Sequence, residues 1–230
     1  MEPSFPVVAR PRRSAHPLDG KGAWVPRPGT GSAREEITVR LFVAVTSDRP
    51  AADHLAAALA PVRERPGAPR WTAPELRHLT LVFLGEIDEA TAARLPDRFV
   101  GVASRHRAVR LRLAGAGTFP PRGAPRVLWI GVDGEPHDLD GLRRLASDLA
   151  RTARSLRIPV ERRPFRPHVT VGRWRQGDPV DPTVVAELSA YRGPDLHLHR
   201  FVLLRSHLGP RPRYAELGSW ELGPRTGTAN

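Results

Sequence analysis

From Ile37 onward, apolar side chains take every second position. In ITVRLFVAV, Val39, Leu41, Val43 and Val45 alternate with Thr38, Arg40, Phe42 and Ala44, the two-residue period of a strand with one face on a core. The same texture predicts strands over LRHLTLVFLG (76–85), VRLRLAG (109–115), PHVTVGR (167–173), DLHLHRFVLLRS (195–206) and RYAELGSWEL (213–222). RVLWIGV (126–132) is a more continuous apolar run and predicts a more buried strand. Helical periods intervene. Residues 51–64 are Ala- and Leu-rich, and 88–106 open on Asp88 as an N-cap, with Pro96 placed to kink or divide the segment. Between 138 and 157, Leu142, Leu145, Leu149, Ala153 and Leu156 recur at three- and four-residue steps beneath an arginine-rich face. This order predicts an α+β domain of two similar halves, each laying helices on a small, largely antiparallel sheet.

Residues 1–36 lack any apolar period and hold six prolines. They are expected to form a flexible Pro/Arg-containing leader, followed by one domain over 37–222 and a C-terminal tail over 223–230. No apolar run approaches the roughly 18–20 residues of a membrane span, and no apolar stretch follows the basic N-terminal residues as in a secretory signal. The expectation is a cytoplasmic protein with no membrane partner, taken as a monomer.

Cysteine is absent, which excludes disulfides, thiolate metal ligands and thiol nucleophiles. The formal net charge is +12, and 35 of the 36 cationic side chains are arginine, Lys21 being the exception. That balance favours polyanionic partners, whose phosphate oxygens suit the guanidinium fork.

One stretch occurs twice. His78-Leu79-Thr80-Leu81 and His168-Val169-Thr170-Val171 are near copies, 168 − 78 = 90 residues apart. On a strand, positions i and i+2 share a face, so each His stands beside its Thr while the aliphatic residues point the other way. Two halves packed about a pseudo-twofold axis would bring two imidazoles and two hydroxyls to one cleft. Imidazoles on opposite sides of a phosphorus suit in-line displacement, one removing a proton from the incoming oxygen and the other protonating the departing one. Hydroxyls and nearby arginines would hold the non-bridging oxygens. His197 and His199 also stand at i and i+2, but they lack the hydroxyl partner and a second copy, so they are read as a solvated face. His16, His54, His106, His137 and His207 belong to no motif and are read as surface residues.

These residues carry a resemblance. His78 through Gly85 (HLTLVFLG) and Pro167 through Arg173 (PHVTVGR) resemble the two signature motifs of the two-histidine phosphoesterase superfamily, and within it the RNA 2′,3′-cyclic phosphodiesterase family, also called 2′-5′ RNA ligases. Arg40-Leu41-Phe42-Val43-Ala44, Trp71, Gly117-Thr118-Phe119-Pro120, Arg126-Val127-Leu128-Trp129, Leu204-Arg205-Ser206 and Tyr214 extend the similarity over about residues 38–222. The resemblance implies a bilobal, duplicated α+β fold with two mostly antiparallel sheets flanked by helices around a central cleft. It further implies opening of a 2′,3′-cyclic phosphate to a 2′-phosphomonoester without metal or other cofactor. The partners would be RNA with 2′,3′-cyclic phosphate ends, or cyclic nucleotides.

By the same resemblance His78 is the proton donor and His168 the proton acceptor, with Thr80, Thr170 and Arg173 binding phosphate. Phe165, beside the second motif, is the candidate for stacking on a base. Phe83 is expected in the core, because alternation from His78 points it the opposite way. Val171 stands where leucine is commoner, a mild departure.

Two alternatives use the same residues. ATP-independent 2′-5′ RNA ligation would run the chemistry with a 5′-hydroxyl in place of water. A non-catalytic RNA-binding module would use Arg110, Arg112, Arg122 and Arg126 as a phosphate track. No P-loop or dinucleotide-binding glycine pattern is present.

Overall fold

The computed structural model describes residues 38–209 and 212–225, so the leader and residues 226–230 lie outside the described residues. The elements in chain order are β1 (Thr38–Val45), α1 (Arg49–Leu59), β2 (Arg70–Trp71), β3 (Leu79–Asp88), α2 (Glu89–Ala92), α3 (Leu95–Ala103), β4 (Val109–Phe119) and β5 (Val127–Gly134). They are followed by α4 (Pro136–Ser155), β6 (His168–Arg173), α5 (Pro182–Ser189), β7 (Arg192–Leu198), β8 (Arg200–His207) and β9 (Arg213–Glu221). Among the described residues no helix is long and apolar enough to cross a membrane.

The strands form an antiparallel sheet in the order β7-β4-β5-β6-β3-β1-β8-β9, with β2 added against β6. It consists of two four-stranded halves, β7-β4-β5-β6 and β3-β1-β8-β9, which meet at the single residue pair Leu79–Val169. The two sheets expected from the sequence are therefore two halves joined edge to edge at a seam. Both seam strands carry a His-x-Thr motif.

All the longer helices lie on one face. Leu55 and Leu59 of α1, Leu95 and Phe99 of α3, Leu142, Leu145 and Leu149 of α4, and Val184 and Leu188 of α5 share one buried cluster with Leu41, Val43, Leu79, Leu81, Leu128, Ile130 and Val169 of the strands. This cluster spans both halves. α4 lies across β3, β4 and β5, which ties the seam together from the helical side. On the opposite face the first half has only a small cluster of Phe42, Ala44, Val202 and Leu204 with Tyr214 against it. Among the described residues that face is open, with no α-helix packed on it.

Several local features follow the sequence. Asp88 accepts a hydrogen bond from the Thr91 N–H at 2.7 Å as the N-cap of α2, and Pro96 falls in the first turn of α3, dividing the predicted helix in two. Others do not. The strand expected over 195–206 is two strands broken at His199, because β7 pairs with β4 in one half and β8 with β1 in the other. α5 had no expectation, and neither did β2. His106, read as a surface residue, is mostly buried and pairs through Nε2 with Asp148 at 3.0 Å, fastening the end of α3 to α4.

Candidate active site

At the seam, extending the Leu79–Val169 register by one residue in each direction sets His78 across from Thr170 and Thr80 across from His168. Leu79 and Val169 enter the core, so the two histidines and two threonines stand together on the open face. All four are half-buried.

Beyond the threonines, both strands break their alternation at the same place. β1 pairs Ala44 with Thr80 and Val43 with Val82, which leaves Leu81 as an extra residue. β5 pairs Trp129 with Thr170 and Leu128 with Gly172, which leaves Val171 extra. A β-bulge thus occupies the fourth position of each motif and shifts the following residues by one face. Leu81 and Val82 both enter the core, and Val171 and Gly172 are both buried. Phe83 and Arg173, each five residues after its histidine, therefore return to the open face. Phe83 is 47 % exposed, with the Arg40 guanidinium 4.8 Å over its ring.

That placement corrects the reading of Phe83 as core, since simple alternation does not survive the bulge. Phe165, the base-stacking candidate, is half-buried and packs one side against the main core cluster.

Each imidazole is held in the same way. The His78 Nδ1–H donates to the Leu76 carbonyl at 2.8 Å, and the His168 Nδ1–H donates to the Arg166 carbonyl at 2.7 Å. A carbonyl can only accept, so Nδ1 carries the proton and Nε2 of each ring is left to exchange one with a substrate. Aromatic walls fix the ring planes. Phe42 and Tyr214 lie 4.7 and 5.2 Å from the His78 ring, and Phe119 and Trp129 lie 5.1 and 6.2 Å from the His168 ring. These four were quoted in the resemblance without a role, and their clustering about the histidines is the signal that assigns one.

Burial lowers both imidazole pKa values, and the carbonyl acceptors oppose that shift. Arg173 lowers both further, and His168 lowers His78. Burial raises the Tyr214 hydroxyl pKa, with Arg173 and Arg40 acting against it. Arg173 is thus within electrostatic reach of both histidines and Tyr214. The site is cationic and partly desolvated, suited to an anion carried between two imidazoles.

The other candidates lie elsewhere. His197 and His199 are exposed. Arg110 and Arg112 of the proposed phosphate track share Asp195, at 3.8 and 3.5 Å.

A curled antiparallel sheet in two halves, with paired His-x-Thr strands at the seam and helices behind, defines the two-histidine phosphoesterase class of fold. Residues 47–210 match the model of the 2′-5′ RNA ligase superfamily, and the chain belongs to that superfamily. It is 33 % identical over 187 residues to an RNA 2′,3′-cyclic phosphodiesterase of Archaeoglobus fulgidus, covering 80 % of this chain and 100 % of the relative. An RNA 2′,3′-cyclic phosphodiesterase of Geobacillus stearothermophilus is 34 % identical over 153 residues, 66 % of this chain and 47 % of that relative, so the chain spans about half its length. The crystal structure of E. coli LigT complexed with 3′-AMP superposes with a TM-score of 0.64 at 27 % identity, covering 81 % of this chain and 99 % of that one.

Proposed function

We propose that the chain is an RNA 2′,3′-cyclic phosphodiesterase that opens the cyclic phosphate to a 2′-phosphomonoester without a metal ion. The observation that carries this reading is the seam: two imidazoles whose Nε2 atoms are unbonded among the described residues, two hydroxyls and Arg173 share one face of two adjoining strands. The names of the curated relatives and the nucleotide in the LigT complex support the same substrate class.

In the reaction, neutral His168 takes a proton from water through Nε2 as the water oxygen attacks phosphorus. The P–O3′ bond breaks on the far side, and protonated His78 gives its Nε2 proton to the departing O3′. The directions assigned to His78 and His168 follow the resemblance. The net step consumes one water and leaves the two histidines with exchanged protonation states, which solvent resets. Thr80, Thr170 and Arg173 hydrogen-bond the non-bridging oxygens as negative charge builds on them. The base of the terminal nucleotide rests on Phe83.

The test is turnover of a 2′,3′-cyclic nucleotide, and of a short RNA ending in a cyclic phosphate, in EDTA. Wild type should form the 2′-phosphate, and His78→Ala and His168→Ala should each lose about 10²-fold or more of kcat. Activity abolished by EDTA and restored by a divalent ion would overturn the metal-free mechanism, and a folded wild type inert on both substrates would overturn the substrate class.

A further inference from the structure

Between Trp71 and Leu79 the chain leaves β6 and returns to it. Trp71 pairs with Gly172, the Thr72 N–H donates to the Val171 carbonyl at 2.9 Å, and Leu79 pairs with Val169. The two attachment points are only 172 − 169 = 3 residues apart on β6, so residues 72–78 loop out between them. The loop contains a 3-10 turn, Pro74–Leu76, whose last carbonyl holds His78 Nδ1. The orientation of the first histidine thus depends on a loop anchored at both ends to the strand that carries the second.

Arg77 closes this loop. Arg77 is 8 % exposed, and its Nε–H donates to the Thr72 carbonyl at 3.0 Å. Nη1 and Nη2 are buried with no hydrogen-bond partner among the described residues. The charged groups acting on it are Arg63, which opposes its charge, and Glu75, which favours it. An arginine kept buried on these terms makes one well-formed bond, and that bond joins the two ends of the loop.

We infer that Arg77 is a positioning residue for the first histidine: by tying its Nε to the Thr72 carbonyl it holds the Leu76 carbonyl on His78 Nδ1 and so aims Nε2 at the seam. The inference rests on the cyclic phosphodiesterase reading for its kinetic consequence but not for its structural one. Arg77 touches no substrate and acts only through Leu76 and His78.

Two near-isosteric substitutions separate this role from packing. In Arg77→Gln the side-chain amide nitrogen stands where Nε stood, so the donor is kept and the guanidinium head is lost. In Arg77→Met a methyl replaces the donor. The expected result is kcat close to wild type for Arg77→Gln and lower by about tenfold for Arg77→Met, with KM within about twofold in both.

The Leu76 carbonyl favours imidazolium at His78, so loosening it lowers that group's pKa and moves toward acid whichever limb of the rate profile His78 sets, in Arg77→Met alone, while the limb set by His168 stays in place. His168 and Arg173 from β6 and Tyr214 from β9, the charged and titratable groups facing His78, are unchanged in both variants. NMR titration of the two imidazoles without substrate reads the same displacement at His78 only, whatever the substrate proves to be.

Equal effects of the two substitutions, or an unmoved His78 titration in Arg77→Met, would overturn the inference. Should Arg77→Met fail to fold, hydrogen exchange in wild type decides: a protected Arg77 Nε–H supports the bond to Thr72, and a freely exchanging one overturns it.

Discussion

Phe83 and Arg173 hold equivalent places, five residues after each histidine and just past a bulge, yet one is an aromatic ring and the other a cation. The proposed ligand has none of the site's pseudo-twofold symmetry: a nucleoside cyclic phosphate carries anionic oxygens to one side and a nucleobase to the other. Arg173 suits the oxygens, and the half-exposed ring of Phe83 suits the base. Stacking of a base on an aromatic side chain is worth roughly 1–3 kcal/mol, so Phe83→Ala should raise KM for a cyclic nucleotide by about tenfold while leaving kcat near wild type. A ribose 2′,3′-cyclic phosphate without a base is the control. Steady-state kinetics on both compounds check this: equal losses on the two would show that the ring supports the fold rather than the base.

At the scale of elements, strand alternation and the duplicated motif were readable because the core demands them, whereas bulges leave no mark in a period-two pattern. In LTLVFLG the run Leu81-Val82 looks like continuous apolar sequence, and only pairing with Val43 and Ala44 shows that one residue is extra. The break at His199 was hidden for a related reason. His197 and His199 are both exposed, so the alternation runs on while the chain passes from one half of the sheet to the other. α5 is short and contains Val184 and Val185, which suit strands better. Its legible signal was Asp181-Pro182, an N-cap followed by a first-turn proline.

The wall of the second histidine depends on a similarly silent residue, Gly117, where a Cβ would overlap the indole of Trp129. Gly117→Ala should push that ring toward His168, costing about 1–3 kcal/mol of stability and lowering kcat. Gly101, inside α3 with only the end of the Arg105 side chain nearby, should respond in the opposite sense. Gly101→Ala should stabilise by up to about 1 kcal/mol without touching activity. Thermal unfolding together with kcat distinguishes the two; a Gly117→Ala protein with unchanged melting and turnover would show that Trp129 is free to move.

For the molecule as a whole, joining two halves at one residue pair concentrates positive charge where both imidazoles are partly desolvated. The fold therefore favours their neutral forms, and both pKa values lie below the ordinary imidazole value. The sign of the stability effect follows. The unfolded chain binds protons at about pH 6.5 and the folded chain only at lower pH, so this contribution is fully present above about 6.5 and is lost as pH falls through the folded values.

The proposed mechanism asks for the opposite at one of the two rings, with His78 protonated while His168 is neutral. In the free enzyme that state peaks between two lowered pKa values, so kcat/KM should be bell-shaped with its maximum on the acid side of about 6.5. A bound phosphate brings negative charge between the rings, favours imidazolium and raises both values, so the kcat profile should lie at higher pH than that of kcat/KM. The enzyme would then pick up substrate best where its own stability is already falling, and occupancy of the cleft would restore part of what acid removes. Rate profiles from about pH 4.5 to 8.5 beside thermal unfolding over the same range check the whole chain of argument. A kcat/KM that rises monotonically through pH 8, or a melting temperature that climbs on acidification, would contradict it.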